Sequence, residues 1–186
     1  MSFRSSDREV AAASAPSVFV TVVALAVATV LQATALHVLM IRGAVPSLVV
    51  IIVVLYALRV GTKRALLVGA LGGLFEDTLT GGTGGSFTIA TALVAIVAGT
   101  TTRFFFSDSP PALATAIALG SLLRSASFWI TMSLGGYPSG LAVTHMHTAL
   151  VQALYTTLVA IPLILYLDRN RERPVQRVKL RDFRAT

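Results

Sequence analysis

Two adjacent carboxyl groups, Glu76 and Asp77, lie near the end of an apolar segment that runs from Arg64 to Leu79. An ionised carboxyl group at the centre of a bilayer costs about 2.5 kcal/mol or more, so each needs a partner, a water-filled cavity or the membrane interface. On a helix, the face that carries them also carries three glycines: Gly69, Gly72 and Gly73. The four-residue spacing of Gly69 and Gly73 allows a second helix to approach closely.

Arg124 is the natural partner for one of these carboxyl groups. It lies twelve residues beyond Ala112, where a later apolar segment begins, and Glu76 lies twelve residues beyond Arg64. At 1.5 Å per residue both side chains are about 18 Å from the same membrane surface. The sequence therefore predicts an intramembrane ion pair and leaves open which carboxyl group forms it. Such a pair either fixes helix packing or handles a ligand, a partner or protons.

The last apolar segment carries a polar stripe that includes His145 and Gln152. His145 is expected near the outer membrane surface, where it reaches the carboxyl groups or simply forms a local hydrogen bond. The predicted intramembrane polar cluster is Glu76, Asp77, Arg124, His145 and Gln152. The face of Arg124 also presents Gly120, Ser127 and Thr131, which are expected to complete its hydrogen bonds or line a cavity. The predicted seam for helix packing or for a partner is Gly69, Gly72, Gly73 and Gly120.

The pattern of reactive residues does not predict an enzyme. The chain has no cysteine, no H-E-x-x-H motif and no serine in a nucleophile elbow. His145 and His147 are about 200° apart on a helix, which argues against a shared metal ion. The Gly81 to Gly85 run lacks the Lys-Ser/Thr pair of a phosphate-binding loop. We therefore expect no catalytic, cofactor-binding or metal-binding residues.

Composition indicates an integral membrane protein with one domain. The 186 residues are 55% hydrophobic and 12% charged, with a mean hydropathy of +0.79, whereas soluble domains are about 25% charged. The net charge is +7. Because the basic residues cluster at the chain ends and between apolar runs, they indicate topology and contact with anionic lipid rather than nucleic-acid binding.

Six apolar segments predict six membrane-spanning helices, at about residues 17–40, 45–60, 64–79, 86–105, 112–134 and 141–167. With the N-terminus in the cytoplasm, thirteen of the fifteen Lys and Arg residues lie inside, only Arg42 lies outside, and Arg124 lies within the membrane. The positive-inside rule thus favours an all-α, six-helix bundle with both termini cytoplasmic. The expected organisation is a cytoplasmic segment (1–16), the transmembrane domain (17–167) and a basic cytoplasmic tail (168–186).

Two of these segments raise specific expectations. The first resembles a signal peptide with an A-x-A cleavage site at Ala33 to Ala35, but its apolar character continues past that site, which favours an uncleaved helix. The second contains VPSLVVIIVVLY, which has almost no polar groups. We expect this second helix to be the most lipid-exposed of the six.

The segment from Gly69 to Asp77 reads G-x-x-G-G-L-x-x-D and is followed by a small polar turn. Together with the six-span order, Arg103 after the fourth span and the His and Gln of the last span, it resembles the bacterial rod shape-determining protein MreD family. The resemblance covers about Val45 to Arg173. Glu76 departs from the family pattern, which has an apolar residue before the Asp, so the resemblance does not say which carboxylate holds the family role.

The resemblance implies a non-enzymatic subunit of the cell-elongation machinery in the bacterial plasma membrane, concerned with cell shape and peptidoglycan synthesis. It implies direct binding to the bitopic protein MreC. The wider complex would include MreB, a RodA-type glycan polymerase and a class B penicillin-binding protein. It also implies a fold similar to the S-components of energy-coupling-factor vitamin transporters.

Two functions follow from these expectations. The first is a scaffold that binds the MreC helix on the Gly69/Gly73 seam, or in a groove beside the fifth and sixth spans. The second is the substrate-binding component of a small-molecule transporter, in which the polar cluster lines an outward-facing site. The aromatic wall of such a site would come from Trp129, Tyr137 and Tyr155. The short outer turns, which leave no loop to close over a ligand, favour the scaffold.

Overall fold

The computed structural model describes residues 16–81, 83–101, 109–136 and 138–182. These residues form six α-helices and no strand, which confirms the predicted all-α class. The helices are α1 (Val18–Ala33), α2 (Leu48–Val60), α3 (Thr62–Thr80), α4 (Ser86–Thr101), α5 (Pro110–Leu134) and α6 (Ala142–Asp182). Two short 3-10 turns, Leu36–Leu39 and Ser139–Leu141, precede α2 and α6.

Local sequence signals explain where these helices begin and end. Ser17 and Ser47 cap α1 and α2, each hydroxyl accepting a hydrogen bond from the backbone N–H three residues later. Gly61 adopts a φ of 80° and separates α2 from α3 without any further linker. Gly81, with a φ of 55°, ends α3. Proline opens α5, where the missing backbone N–H costs nothing.

The apolar helix α2 lies at the centre of the bundle. The prediction that it is the most lipid-exposed helix is wrong: eight of its residues are buried, and it contacts all five other helices. One face of α2 packs with α4, α5 and α6, and another packs with α1, α3 and α4. A helix that is apolar on all sides can be surrounded either by lipid or by other helices. In this bundle, other helices surround α2.

Close contact between α3 and α4 depends on two glycines. A Cβ added at Gly69 would lie 2.6 Å from Ala95 Cβ, and one added at Gly73 would lie 2.5 Å from Thr88 Cα. The Gly69/Gly73 seam is therefore filled by the chain's own α4, and the idea that it takes a partner helix is wrong for these two residues. Gly72 and Gly120 also face other helices of the bundle, against Leu25 and Val54 respectively.

The outer surface of the bundle is apolar. Large aliphatic side chains are exposed on all the helices except α2. Two helices are long and apolar enough to cross a membrane by length and composition, Pro110–Leu134 and the Ala142–Arg169 part of α6. The other apolar helices, α1, α2 and α4, are shorter. The count of six spans and their orientation stay predictions, as do the domain limits, although α6 continues as a helix past Leu167.

Candidate functional site

A buried ion pair joins α3 to α5. Arg124 Nη2 donates to Glu76 Oε2 at 2.7 Å, and only 6% and 5% of the two side chains are exposed. The ion pair predicted from the equal depth of these residues in the membrane is present, and Glu76 rather than Asp77 is the partner of Arg124. The other buried residues of these two helices are small or apolar. The charge of each residue is therefore neutralised by the other member of the pair.

The guanidinium of Arg124 also binds two other elements. Its Nε donates to Thr91 Oγ1 on α4 at 3.3 Å, and its Nη1 donates to Ser47 Oγ, the cap of α2, at 3.1 Å. Its carbon Cζ lies 4.8 Å from the centre of the Phe87 ring, a cation–π contact. Gly120, Ser127 and Thr131 do not supply these contacts, contrary to expectation. The Ser127 and Thr131 hydroxyls donate to carbonyl oxygens of their own helix.

Gln32 and Thr156 extend the network to the first and last helices. Gln32 Nε2 donates to Glu76 Oε1 at 3.1 Å, and Gln32 Oε1 accepts from the Leu48 backbone N–H at 2.9 Å. The Ser47 backbone N–H donates to Thr156 Oγ1 at 3.0 Å. One chain of hydrogen bonds centred on the Arg124–Glu76 pair therefore connects all six helices. We call Gln32, Ser47, Glu76, Thr91, Arg124 and Thr156 the central network.

Asp77 lies outside this network, although it is adjacent to Glu76. Its carboxylate accepts hydrogen bonds from the backbone N–H groups of Phe87 and Thr88, at 3.1 and 2.8 Å, and from the hydroxyls of Thr83 and Thr88. These N–H groups belong to the first turn of α4, where no earlier carbonyl can accept them. Asp77 thus acts as a cap for α4 supplied by α3, and the helix dipole favours its negative charge there.

His145 and Gln152 lie near the ion pair without bonding to it. His145 Nε2 is 3.1 Å from the Ser125 carbonyl oxygen, so that nitrogen carries a proton and donates. Gln152 Nε2 donates to the Val45 carbonyl oxygen at 3.0 Å. His145 therefore bonds to the neighbouring helix α5, and in the described part of the chain it forms neither the expected local hydrogen bond at its own helix end nor a bond to the carboxyl groups. Within the described residues no group of three or more His, Asp and Glu side chains converges on a metal position.

An aromatic column stands beside the ion pair. Phe87 stacks on Phe128 with ring centres 4.4 Å apart, and His145 stacks between Phe128 and Trp129 at 6.1 and 4.9 Å. The Phe residues, not the predicted Trp129 and Tyr155, line the adjacent cavity; the Tyr155 hydroxyl instead donates to the Leu39 carbonyl oxygen. Tyr137 lies outside the described residues, as does Arg103.

A cavity of about 330 Å³ opens beside the ion pair. Glu76 and Arg124 line it together with His145 and Gln152, so it contains four of the five predicted cluster residues, and Asp77 is not among them. The rest of its wall comes from the ends of α1, α3 and α4, the turn before α2, and the middle of α5: Thr29, Gln32, Ala33, Gly43, Val45, Leu79, Thr80, Phe87, Ser125 and Phe128. The arrangement offers hydrogen-bonding groups beside a buried ion pair.

Sequence reasoning did not assign site roles to Ser47, Thr91 and Phe87. Each is an ordinary residue for its segment: a helix cap, an interior threonine and a phenylalanine in a helical first turn. Arg124 has five N–H donors in an apolar segment, and this was the one signal that polar partners besides a carboxylate exist. It could not say on which helices they lie.

The chain matches the model of a known protein family. Searches of curated proteins and of solved structures return no match, so the expected similarity to transporter S-components stays a prediction. The model of the family described as rod shape-determining protein MreD matches residues 15–169, more than four fifths of the chain. The matched region includes the central network, the Asp77 cap and the cavity. The chain belongs to the MreD family of rod shape-determining proteins.

Proposed function

We propose that this protein is a non-enzymatic scaffold subunit of the bacterial cell-elongation complex that binds MreC and helps to position peptidoglycan synthesis. Membership of a membrane protein family that determines rod shape supports the proposal. The strongest structural support for the proposal is the central network. Its charged groups are buried and bonded to residues that hold helices together, which suits a rigid platform better than a site that releases protons or products.

The wider assembly would place this subunit in the plasma membrane beside MreB, a RodA-type glycan polymerase and a class B penicillin-binding protein. In this arrangement the chain crosses the membrane six times and both termini are cytoplasmic. The basic residues that follow Asp168 then meet the anionic lipid headgroups of the cytoplasmic leaflet. The same charges retain the tail on that side, as the positive-inside rule requires.

The surface proposed for MreC is the exposed stripe of α6. Because α4 fills the Gly69/Gly73 seam, the groove beside the fifth and sixth helices is the remaining candidate. In the most apolar part of α6 only 22% of the residues are buried. Leu150, Leu154 and Leu158 are half or more exposed and recur every four residues, so they form one continuous stripe. A partner helix that lies along it would contact three successive turns.

Paired tryptophan substitutions test this assignment. Leu154→Trp changes the proposed contact, and Val27→Trp places the same side chain on α1, at a position that is 61% exposed. Co-purification of MreC from native membranes in mild detergent, compared with the amount of inserted protein, is the measurement. We expect Leu154→Trp to reduce MreC recovery at least about fivefold and Val27→Trp to leave it unchanged. If only Val27→Trp reduced MreC recovery, the interface would lie on α1 instead. Absence of MreC from the wild-type sample would refute the scaffold function.

The cavity supports the second function, the substrate-binding component of a small-molecule transporter. It is lined by polar cluster residues and by two Phe rings, as a ligand site would be. Mass spectrometry of the same wild-type sample distinguishes the two functions. Recovery of ATP-binding-cassette subunits without MreC would establish the transporter and exclude the scaffold.

A further inference from the structure

The cavity beside the ion pair has hydrogen-bonding capacity that the protein itself does not use. Arg124 has five N–H groups, and three of them are bonded to Glu76, Thr91 and Ser47. The Ser125 hydroxyl and the Gln152 carbonyl oxygen Oε1 form no hydrogen bond within the described residues, and both residues line the cavity. Donors and acceptors are therefore available together in one partly open cavity.

The charge of the cavity favours a neutral ligand. Arg124 and Glu76 line the cavity as a pair of opposite charge, 2.7 Å apart. A cation or an anion that bound there would leave one charge uncompensated beside a buried ion pair, which is costly. The ligand must also accept hydrogen bonds from the guanidinium and donate to Gln152 Oε1. A hydroxyl group does both.

At the ends of the helices, apolar side chains form part of the cavity wall beside Gln32 and Thr80. Ala33 and Leu79 lie at the last turns of α1 and α3, and Val45 lies in the turn before α2. A ligand with polar groups at depth therefore carries apolar groups that point outward. The volume of about 330 Å³ is at the lower end of the range for small-molecule sites, roughly 300–1,000 Å³. It accommodates one headgroup and excludes the bulk of a lipid.

We propose that this cavity binds the neutral, hydroxyl-rich headgroup of an amphipath, of the kind a glycosylated lipid carries. Arg124 and Glu76 meet the deepest hydroxyls, and Ser125 and Gln152 bond to those above them. The apolar rim contacts the attached chains. This binding is independent of the contact with MreC, because the two use different faces of α6. His145 and Gln152 line the cavity, whereas Leu150 and Leu154 are exposed on the outer surface.

Native mass spectrometry in tetraethylene glycol monooctyl ether, a detergent without a sugar, tests the proposal. The probes are monoglucosyl diacylglycerol, diacylglycerol without the sugar, and phosphatidylglycerol, whose headgroup has hydroxyls and a negative charge. We expect the glucosyl lipid to bind at least about tenfold more tightly than either of the others. Equal retention of all three lipids would overturn the proposal, because it would show that the acyl chains alone are recognised.

Matched variants locate the binding. Ala33→Trp fills the rim from an exposed position on α1, and Val30→Trp places the same bulk on the outer face of that helix. Ser125→Ala removes one unused hydroxyl, with Ser133→Ala, an exposed position on the same helix, as its control. Ala33→Trp should weaken glucosyl-lipid binding at least about tenfold and Ser125→Ala about threefold, while both controls bind as the wild type does. Binding unchanged in Ala33→Trp and in Ser125→Ala would overturn the assignment.

Methyl β-D-glucoside, a free sugar, tests whether the ligand is a soluble sugar or the headgroup of a membrane lipid. Thermal stabilisation of the wild type by this free sugar, absent in Ala33→Trp, would show that a soluble sugar suffices. Binding of the glucosyl lipid alone would identify a membrane lipid as the ligand. MreC recovery is measured on the same variants. Ala33→Trp that retains MreC and loses the glucosyl lipid would establish this site separately from the scaffold function.

Discussion

Arg124 Nη2 and Glu76 Oε2 lie 2.7 Å apart, although the residues are separated by 48 positions in the chain and lie on helices α5 and α3. Each charge is acceptable in this apolar bundle because the other is present. Arg124 additionally binds a cap of α2 and a threonine of α4, so its contacts set the positions of three helices relative to its own.

Removing one member of this pair should destabilise the bundle severely. Arg124→Met leaves the Glu76 carboxylate buried without its partner, a change that typically costs about 3–5 kcal/mol. The double variant Arg124→Met/Glu76→Gln removes both charges and should recover part of that loss. Thermal unfolding in detergent measures both, with Arg64→Met, at an exposed position, as the control. A double variant less stable than Arg124→Met would contradict this account.

The glycine seam gives a second prediction. Gly73→Ala places a methyl group 2.5 Å from Thr88 Cα, a distance that the α4 backbone can relieve only by moving away. Overpacking of this kind costs about 1–3 kcal/mol, and the displacement should also stretch the hydrogen bonds from α4 to Asp77. Leu67→Phe, which enlarges a 52% exposed side chain of the same helix, should have little effect. Equal unfolding temperatures for Gly73→Ala and Leu67→Phe would show that α3 and α4 are not held this closely.

Asp77 should stabilise the start of α4 and little else. Asp77→Ala removes the acceptor for two backbone N–H groups and two hydroxyls, and loss of a helix cap costs about 0.5–2 kcal/mol. Asp77→Asn keeps one acceptor oxygen and should cost less. Hydrogen exchange in residues 83–90 should rise in Asp77→Ala, while exchange in α5 stays unchanged. Faster exchange in α5 would mean that Asp77 supports the Arg124 contacts after all.

The ion pair was predictable because depth can be counted along two helices, and the glycine face because helical periodicity is regular. The role of Asp77 was not predictable, since its partners belong to a helix whose direction of approach the sequence does not give. The central place of α2 was missed for a different reason. Lipid and protein interiors are equally apolar, so a segment such as Val49 to Leu55 has the same composition whether lipid or other helices surround it.

Gln32 should be energetically coupled to Arg124 through Glu76, to which both side chains donate. Gln32 Nε2 and Arg124 Nη2 donate to opposite oxygens of the same Glu76 carboxylate, and groups in one network depart from additivity by about 0.5–3 kcal/mol. Gln32→Leu also leaves the Leu48 N–H without its acceptor, so the single variant should cost about 1–3 kcal/mol.

A double-mutant cycle measures this coupling. Gln32→Leu, Arg124→Met and their combination are compared by unfolding in detergent, and a second cycle replaces Gln32→Leu with Leu31→Ala, at an exposed position on the same helix. We expect the first cycle to be non-additive, because Gln32 helps to hold Glu76 in place for Arg124, and the second to be additive. Additivity in both cycles would mean that α1 is bonded to Glu76 without contributing to the geometry of the ion pair.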